Sequence, residues 1–96
     1  MTLNDLGFDW DQWNIQKNEI KHGVSRLEAE SVFFDRRLKI YEDLKHSSVQ
    51  EKPWVSFGKG KNNRVLMVAF TIRMDKIRII SARQTSRKEK KIYEKI

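Results

Sequence analysis

The 96-residue chain contains no cysteine, one proline and four glycines. Without cysteine it can form no disulfide, thiol nucleophile or zinc-thiolate site, so nothing calls for an oxidising compartment and we expect a cytoplasmic protein. The longest apolar run, Val65 to Ile72, is far shorter than the ~20 residues that a membrane helix needs. The first eight residues also lack the basic start and apolar stretch of a signal peptide. We therefore expect no membrane partner.

Metal-binding and cofactor-binding patterns are missing too. The two histidines are far apart and have no paired carboxylates at ligand spacing. Gly58-Lys59-Gly60 lacks the strand-loop-helix context and the Gly-Lys-Ser/Thr ending of a phosphate loop. We expect no metal and no cofactor. The length predicts one domain, residues 1–96, that buries roughly 60–70% of its unfolded surface.

Positive charge is concentrated in the C-terminal part of the chain. Residues 1–58 contain 8 Lys+Arg and 10 Asp+Glu, whereas residues 59–96 contain 12 and 3, which together give the net charge of +7. Clustered cations gain affinity for nucleic acids by releasing counterions from phosphates. An acidic protein partner and simple solubility are the alternatives. We favour a nucleic acid because the charge is one-sided.

Two helices are predicted before residue 35. Asp9 or Asp11 can cap a helix from about Trp10 to Lys21, with Trp10, Trp13 and Ile20 near one apolar stripe and Gly23 as the stop signal. Ser25 to Glu28 has the pattern of a capping box and opens a second helix that runs to about Phe34.

Strands and a last helix follow. Leu38, Ile40 and Leu44 alternate with more polar neighbours, as do Val55 and Phe57, which predicts two half-buried strands at the edge side of a sheet. Val65–Ile72 is apolar on both faces and predicts a central strand, with Ile77–Ala82 as its antiparallel neighbour. Ser86 and Glu89 form a second capping box at the start of a basic helix. The predicted fold is α+β, in the order α-α-β-β-β-β-α, with a mainly antiparallel four-stranded sheet and helices packed on one face.

Candidate acid-base groups are few. A metal-free ribonuclease needs a base for the 2′-hydroxyl, cations for the charged phosphorane and a proton donor for the leaving oxygen. His46, with Glu51 nearby in sequence, can act as a base or an acid near neutral pH, although a histidine in a loop is often merely exposed. His22, beside Lys21 and Gly23 at a helix end, is expected to serve the helix terminus.

Three arginines are the stronger candidates. Arg64 enters the central strand and Arg83 leaves its neighbour, so antiparallel pairing predicts that the two flank one phosphate. Arg78 and Arg83 cannot face the same partner unless the strand bends or bulges, so one of them is expected to be structural.

Other basic residues extend the predicted RNA surface. The residues expected to contact RNA are Lys59, Lys61, Arg78, Arg87 and Lys88. Lys88, Lys90 and Lys91 of the last helix also fit a solvated face, and phosphate contact is the alternative. Tyr93, on the same helix face as Glu89, is expected to be a core aromatic, with base stacking as the alternative.

These residues resemble the BrnT-type toxins of bacterial type II toxin-antitoxin systems, over about Phe8 to Tyr93. The similarity lies in a Trp-Asp helix ending in Lys-His-Gly-Val and in Arg-Ile-Ile-Ser-Ala-Arg before an Arg-x-Glu-x-x-x-Tyr helix. The matching positions are Phe8-Asp9-Trp10-Asp11, Asn18, Lys21–Ser25, Glu28-Ala29, Val32–Asp35, His46, Glu51, Arg64–Leu66, Arg78–Arg83, Arg87, Glu89 and Tyr93.

The resemblance implies a RelE-like fold and a ribonuclease toxin that arrests translation by cutting mRNA, on or off the ribosome. It also implies a BrnA-type antitoxin with a ribbon-helix-helix domain, through which the complex represses its operon DNA. A non-catalytic module of ParE-like fold that binds RNA or protein is the competing class. The sequence departs from the family pattern at Asn14, Arg26, Arg36 and Lys52. At position 52 lysine keeps the charge of an arginine but loses bidentate phosphate contact.

Overall fold

The structure is a computed structural model that describes residues 6–44 and 52–95. Three helices and five strands are present in these ranges, with a single 3₁₀ turn after the second helix. In chain order they are β1 (Gly7–Asp9), α1 (Gln12–His22), α2 (Arg26–Ser31), the 3₁₀ turn (Val32–Phe34), β2 (Lys39–Glu42), β3 (Pro53–Lys59), β4 (Val65–Arg73), β5 (Lys76–Gln84) and α3 (Arg87–Glu94).

The strands form one mixed sheet in the order β1-β5-β4-β3-β2. The antiparallel pairs β2/β3, β3/β4 and β4/β5 confirm the predicted meander. β1 adds a fifth strand, which runs parallel to β5 with Phe8 opposite Ile77. The predicted four-stranded sheet is therefore corrected to five strands. Three residues are too few for strand alternation to be visible in the sequence.

β4 is the central strand, as predicted, and its apolar residues are buried on both faces of the sheet. A two-residue turn joins it to β5, with Met74 and Asp75 at φ values of 51° and 61°. Positive φ at both central positions is the geometry of the hairpin turn that matches strand twist.

β5 contains a bulge. Ala69 is opposite Ser81 and Phe70 is opposite Ile79, so Ile80 is an extra residue in β5. An extra residue reverses the alternation of the side chains that follow it. Arg78 and Arg83 consequently lie on the same face of the sheet, opposite Thr71 and Met67.

α1 begins after Asp11, whose Oδ1 accepts a hydrogen bond from Trp13 N at 2.8 Å, and ends at Gly23, with a φ of 64°. The predicted apolar stripe is wrong for Trp13 and Ile20, which are 70% and 84% exposed, whereas Trp10 precedes the helix and packs against the core. The helix instead covers the part of the β5 edge that β1 leaves unpaired. The Oδ1 atom of the buried Asn18 accepts from Ala82 N at 3.1 Å.

The helices lie on both faces of the sheet, which corrects the predicted one-sided packing. α2 and the 3₁₀ turn bury Ala29, Val32 and Phe33 in the main core, together with Leu66, Val68 and Phe70. α3 covers the opposite face, where Tyr93 packs in a second cluster formed by Phe57, Val65 and Met67. Strand alternation leaves every second residue of β4 for each face, so helices on both sides can be buried. None of the helices in the described ranges has the length and apolar content needed to cross a bilayer.

Candidate functional site

The sheet face that carries α3 holds an open cavity of about 680 Å³, which we call the face cleft. Its floor is formed by apolar residues of β3, β4 and β5, and its charged groups come from Asp43, Arg83 and Glu89. The lining residues are Asp43, Pro53, Val55, Met67, Ala69, Ile80, Arg83 and Glu89.

Arg83 is the cation of the face cleft. Its Nη1 and Nη2 atoms donate to the two carboxylate oxygens of Glu89 at 2.8 and 2.9 Å, and Nη1 also donates to the Gln84 carbonyl at 3.1 Å. A guanidinium has five N–H groups, so two of them have no partner among the described residues. The Arg83 side chain is 37% exposed and can offer those donors to a ligand.

Glu89 binds both Arg83 of β5 and the N-terminal cap of α3. Its Oε1 accepts from Ser86 N at 2.9 Å, and Ser86 Oγ accepts from Glu89 N, which completes the predicted capping box. Hydrogen bonding to Arg83 lowers the pKa of Glu89 from 4.5 to about 2, against the effect of burial. The same hydrogen bonds raise the pKa of Arg83. Both groups therefore stay charged at neutral pH, and Glu89 is a poor proton acceptor.

Arg78 lies on the same face as Arg83, but its guanidinium is engaged elsewhere. Its Nη1 donates to Asp9 Oδ2 at 2.9 Å, and Nη2 lies 3.5 Å from Asp11 Oδ2. The side chain is 23% exposed. Arg78 thus ties the start of α1 to β5, and its predicted RNA contact stays a prediction.

Arg64 points to the other side of the sheet. Its Nε and Nη2 atoms donate to the two carboxylate oxygens of Glu28 at 2.6 and 2.7 Å, and Nη2 donates to the Gly23 carbonyl at 2.7 Å. The Glu28 side chain is 1% exposed, and the hydrogen bond from Arg64 lowers its pKa. The structure therefore does not bring Arg64 and Arg83 together. Glu28, predicted to reach back to Ser25, binds Arg64 instead, although Ser25 still caps α2.

A second, polar cavity lies at the end of the sheet beside the β3–β4 turn. It has a volume of about 320 Å³, and we call it the end cleft. Lys59 and Lys90 contribute cations from β3 and α3, and polar side chains complete the wall. The lining residues are Lys59, Asn63, Arg64, Val65, Gln84, Thr85 and Lys90.

The remaining basic candidates are exposed. Lys61 lies in the β3–β4 turn, and Arg87 and Lys88 lie in the first turn of α3. Within the described ranges, none of these three side chains forms an ion pair. Their assignment to RNA stays a prediction.

His46 and Glu51, the predicted acid-base pair, lie outside the described residues. One described residue close to that segment on each side lies at the face cleft. Asp43 and Pro53 both line it, and Asp43 N donates to the Pro53 carbonyl at 3.0 Å.

Residues 10–89 match the family model of the BrnT ribonuclease toxin of type II toxin-antitoxin systems. The chain belongs to the BrnT family. Its fold resembles the crystal structure of the Brucella abortus ribonuclease toxin BrnT, with a TM-score of 0.60, 20% sequence identity and coverage of 85% of this chain and 99% of that one. A search of curated proteins gives no match.

In this BrnT-family chain, the residues that we predicted to have structural roles lie at or near the ends of helices. Gly23 ends α1, and Lys21 and His22 form its basic last turn. The buried Tyr93 donates from its hydroxyl to Asp35 Oδ2 at 2.6 Å. Burial and the Asp35 carboxylate raise the pKa of Tyr93 to about 12, so it keeps its proton at neutral pH.

Sequence reasoning missed several residues that position the site. Asp35 is half-buried, and although burial opposes its ionisation, hydrogen bonds from Lys59 N, Tyr93 and Arg37 N lower its pKa. The sequence also did not predict that Asn18 would bind β5 or that Asp43 would line the face cleft. A polar residue inside an otherwise helical pattern was the available signal for Asn18, but only the structure shows its contact with β5.

At Lys52, one of the departures from the family pattern, the side chain has local partners. Its Nζ lies 3.3 Å from Glu42 Oε1 and 5.2 Å from the centre of the Trp54 ring. An exposed pair of this kind contributes little to stability.

Proposed function

We propose that the chain is a metal-independent endoribonuclease toxin that inhibits translation by cutting RNA at the face cleft. The observation that carries the proposal is Arg83, a charged, half-exposed guanidinium with two N–H groups directed to no described partner. Membership of a ribonuclease toxin family supports RNA as the substrate. Arg83 sits in the part of the chain where positive charge is concentrated.

Arg83 has the properties of a group that stabilises a phosphorane. Charge increases on the phosphate oxygens in the transition state, and a fixed guanidinium then binds them more strongly than in the ground state. Glu89 fixes the guanidinium through two parallel hydrogen bonds. In this proposal Glu89 is a positioning residue, because its low pKa makes it a weak base.

His46 and Glu51 are the proposed acid-base groups, with the roles of proton acceptor and proton donor open to either one. Support comes from the sequence positions, since Asp43, three residues before His46, and Pro53, two residues after Glu51, both line the face cleft. A histidine titrates near neutral pH and can serve in either role. Among the described residues of the cleft, Asp43 is the only other carboxylate besides Glu89.

We further propose that a BrnA-type antitoxin with a ribbon-helix-helix domain neutralises the toxin in the cytoplasm. In this scheme the toxin reaches operator DNA only through the antitoxin, and the complex represses its own operon. A type II toxin family implies an antitoxin partner. Co-expression with the neighbouring gene tests this part through rescue of growth.

The decisive experiment compares Arg83→Ala with Lys76→Ala, which removes the same charge at the far end of β5. We expect Arg83→Ala to lower the single-turnover rate of RNA cleavage by roughly 10² to 10³ and to weaken RNA binding much less. Arg83→Lys should restore only part of the rate because the fork geometry is lost. Lys76→Ala should cut RNA at the parental rate.

Folding of each variant is checked by circular dichroism, since Arg83 also holds α3. A folded Arg83→Ala protein that cuts RNA as fast as the parent would remove Arg83 from the site. A parent protein that binds RNA without cutting it would favour the non-catalytic, ParE-like alternative.

A further inference from the structure

We propose that the end cleft binds a second phosphate of the RNA, next to the phosphate that is cleaved in the face cleft. The inference rests on the proposed function and adds a subsite to it. The substrate class that it implies is a single strand with at least one phosphate beyond the scissile one.

The charge of the end cleft suits an anion. Lys59 and Lys90 line it from two different elements, and no carboxylate is among its lining residues. The charge of Arg64 is matched by Glu28, so the positive excess comes from the two lysines. Within the described part of the chain, neither lysine side chain forms an ion pair. The face cleft differs, because Asp43 and Glu89 both line it.

The walls of the end cleft are held by hydrogen bonds that do not involve the amino groups of the two lysines. Lys59 N donates to Asp35 Oδ2 at 2.7 Å, and Lys61 N donates to Ser31 Oγ at 2.8 Å. On the other side, the N and Oγ1 atoms of Thr85 each lie 3.2 Å from the Val65 carbonyl. A ligand would therefore meet a preformed wall, which reduces the entropy lost on binding.

The two clefts are adjacent in the fold. Arg83 lines the face cleft and Thr85 lines the end cleft, two residues further along the chain, a step of roughly 7 Å in an extended strand. In α3, Glu89 lines the first cavity and Lys90 the second. Neighbouring phosphates of one strand can span such a step. Lys90, predicted from the sequence to lie on a solvated face, is exposed but lines this cavity.

The test compares the double variant Lys59→Gln/Lys90→Gln with Lys76→Gln/Lys91→Gln. Both remove two exposed positive charges, but neither Lys76 nor Lys91 lines a cleft. The probe for binding is a 2′-O-methyl octanucleotide, which has no free 2′-hydroxyl and cannot be cut. We expect the cleft variant to bind it about tenfold more weakly, with a log-log salt slope smaller by about 0.7 for each phosphate released. The control should bind nearly as the parent does.

Cleavage gives a second readout. The KM for an RNA octanucleotide should rise about tenfold more than the KM for a dinucleotide, which has no second phosphate. Equal changes on both substrates, or equal losses in the cleft and control variants, would overturn the subsite.

Two further outcomes separate this inference from neighbouring ideas. If the parent binds the octanucleotide but does not cut RNA, the proposed function fails. The binding comparison alone then decides whether the end cleft binds a phosphate. If polyglutamate binds as tightly as the octanucleotide and depends equally on Lys59 and Lys90, the cleft is an acidic-protein site and the phosphate assignment is wrong.

Discussion

Arg64 shows how one side chain can hold three parts of the chain together. It binds the Glu28 carboxylate of α2 and the Gly23 carbonyl after α1, and it stands at the start of β4. Because Glu28 is almost fully buried, removal of Arg64 would leave an uncompensated charge inside the protein. Breaking a buried pair in this way costs roughly 3–5 kcal/mol.

We expect Arg64→Ala to lower the free energy of unfolding by about 3 kcal/mol, measured by urea denaturation at pH 7. The double variant Arg64→Ala/Glu28→Gln should recover part of the loss because it removes the orphaned charge. If Arg64→Ala is as stable as the parent and yet cuts no RNA, Arg64 belongs to the catalytic site after all.

Acid should destabilise the protein through Glu89. The pKa of this group is lowered from 4.5 to about 2, so its contribution to stability is complete above the unfolded value and is lost as the pH falls from about 4.5 to about 2. A shift of that size corresponds to a contribution on the order of 3 kcal/mol. Urea midpoints measured between pH 7 and pH 2.5 test this.

Glu89→Gln is the control for the loss of stability expected between about pH 4.5 and about pH 2. It should be less stable than the parent at pH 7 and should lose less stability on acidification. The remaining slope would come from Glu28 and Asp35, whose pKa values are also lowered. If the urea midpoints of the variant and the parent fall in parallel as the pH is lowered, the acid-dependent loss of stability does not come from Glu89.

At the residue scale, the sequence shows which charges exist but not which are paired. Arg64, Arg78 and Arg83 have the same appearance in the sequence, yet only Arg83 lines the face cleft. The partners of Arg64 and Arg78 lie in the first third of the chain, far away in sequence. Only the register of the sheet, including the bulge at Ile80, determines which arginine reaches which carboxylate.

At the scale of elements, the β3–β4 turn depends on the absence of a side chain at Gly60. A Cβ atom there would lie 2.5 Å from Ser31 Oγ and 3.0 Å from the Glu28 carbonyl. The first distance is far below van der Waals contact and the second is tight, so the turn or Ser31 would have to shift. The end cleft lies beside this turn and would change with it.

Gly60→Ala should therefore lower the free energy of unfolding by about 1–3 kcal/mol in thermal or urea denaturation, because of overpacking. Gly7→Ala is a suitable control, since the nearest atom to its added Cβ would be Lys76 Cγ at 4.0 Å. A Gly60→Ala protein as stable as Gly7→Ala would show that the turn relaxes without cost.

Local signals predicted the elements well where the chain contains caps and long apolar runs. Ser86 with Glu89, Gly23 and the β4 run each gave an element that the structure confirms. The failures have a common cause, since β1, the exposed side of α1 and the placement of α3 all depend on contacts with distant segments. Alternation within a segment cannot report such contacts.

At the scale of the whole molecule, RNA cleavage should continue in excess EDTA. No group of three or more potential metal-ligating side chains is found within residues 6–44 and 52–95. A reaction without metal uses the neighbouring 2′-hydroxyl, so we expect a 2′,3′-cyclic phosphate or its 3′-phosphate product, identified by mass spectrometry. Complete loss of cleavage with EDTA, restored by Mg²⁺, would contradict this mechanism.

The pairing of β1 with β5 also determines when the toxin can first become harmful. Gly7–Asp9 lies beside Lys76–Arg78, and Asn18 of α1 accepts a hydrogen bond from Ala82 N 64 residues further along, so β1 and α1 depend on partners that are made much later. A ribosome makes the N-terminal part first, and contacts between distant residues must wait for the later one. Arg83 and Glu89 come later in the chain than both of these contacts. β1 can therefore join the sheet only after β5 has been made, and a product that stops before Arg83 would lack both the complete sheet and the arginine that we assign to catalysis.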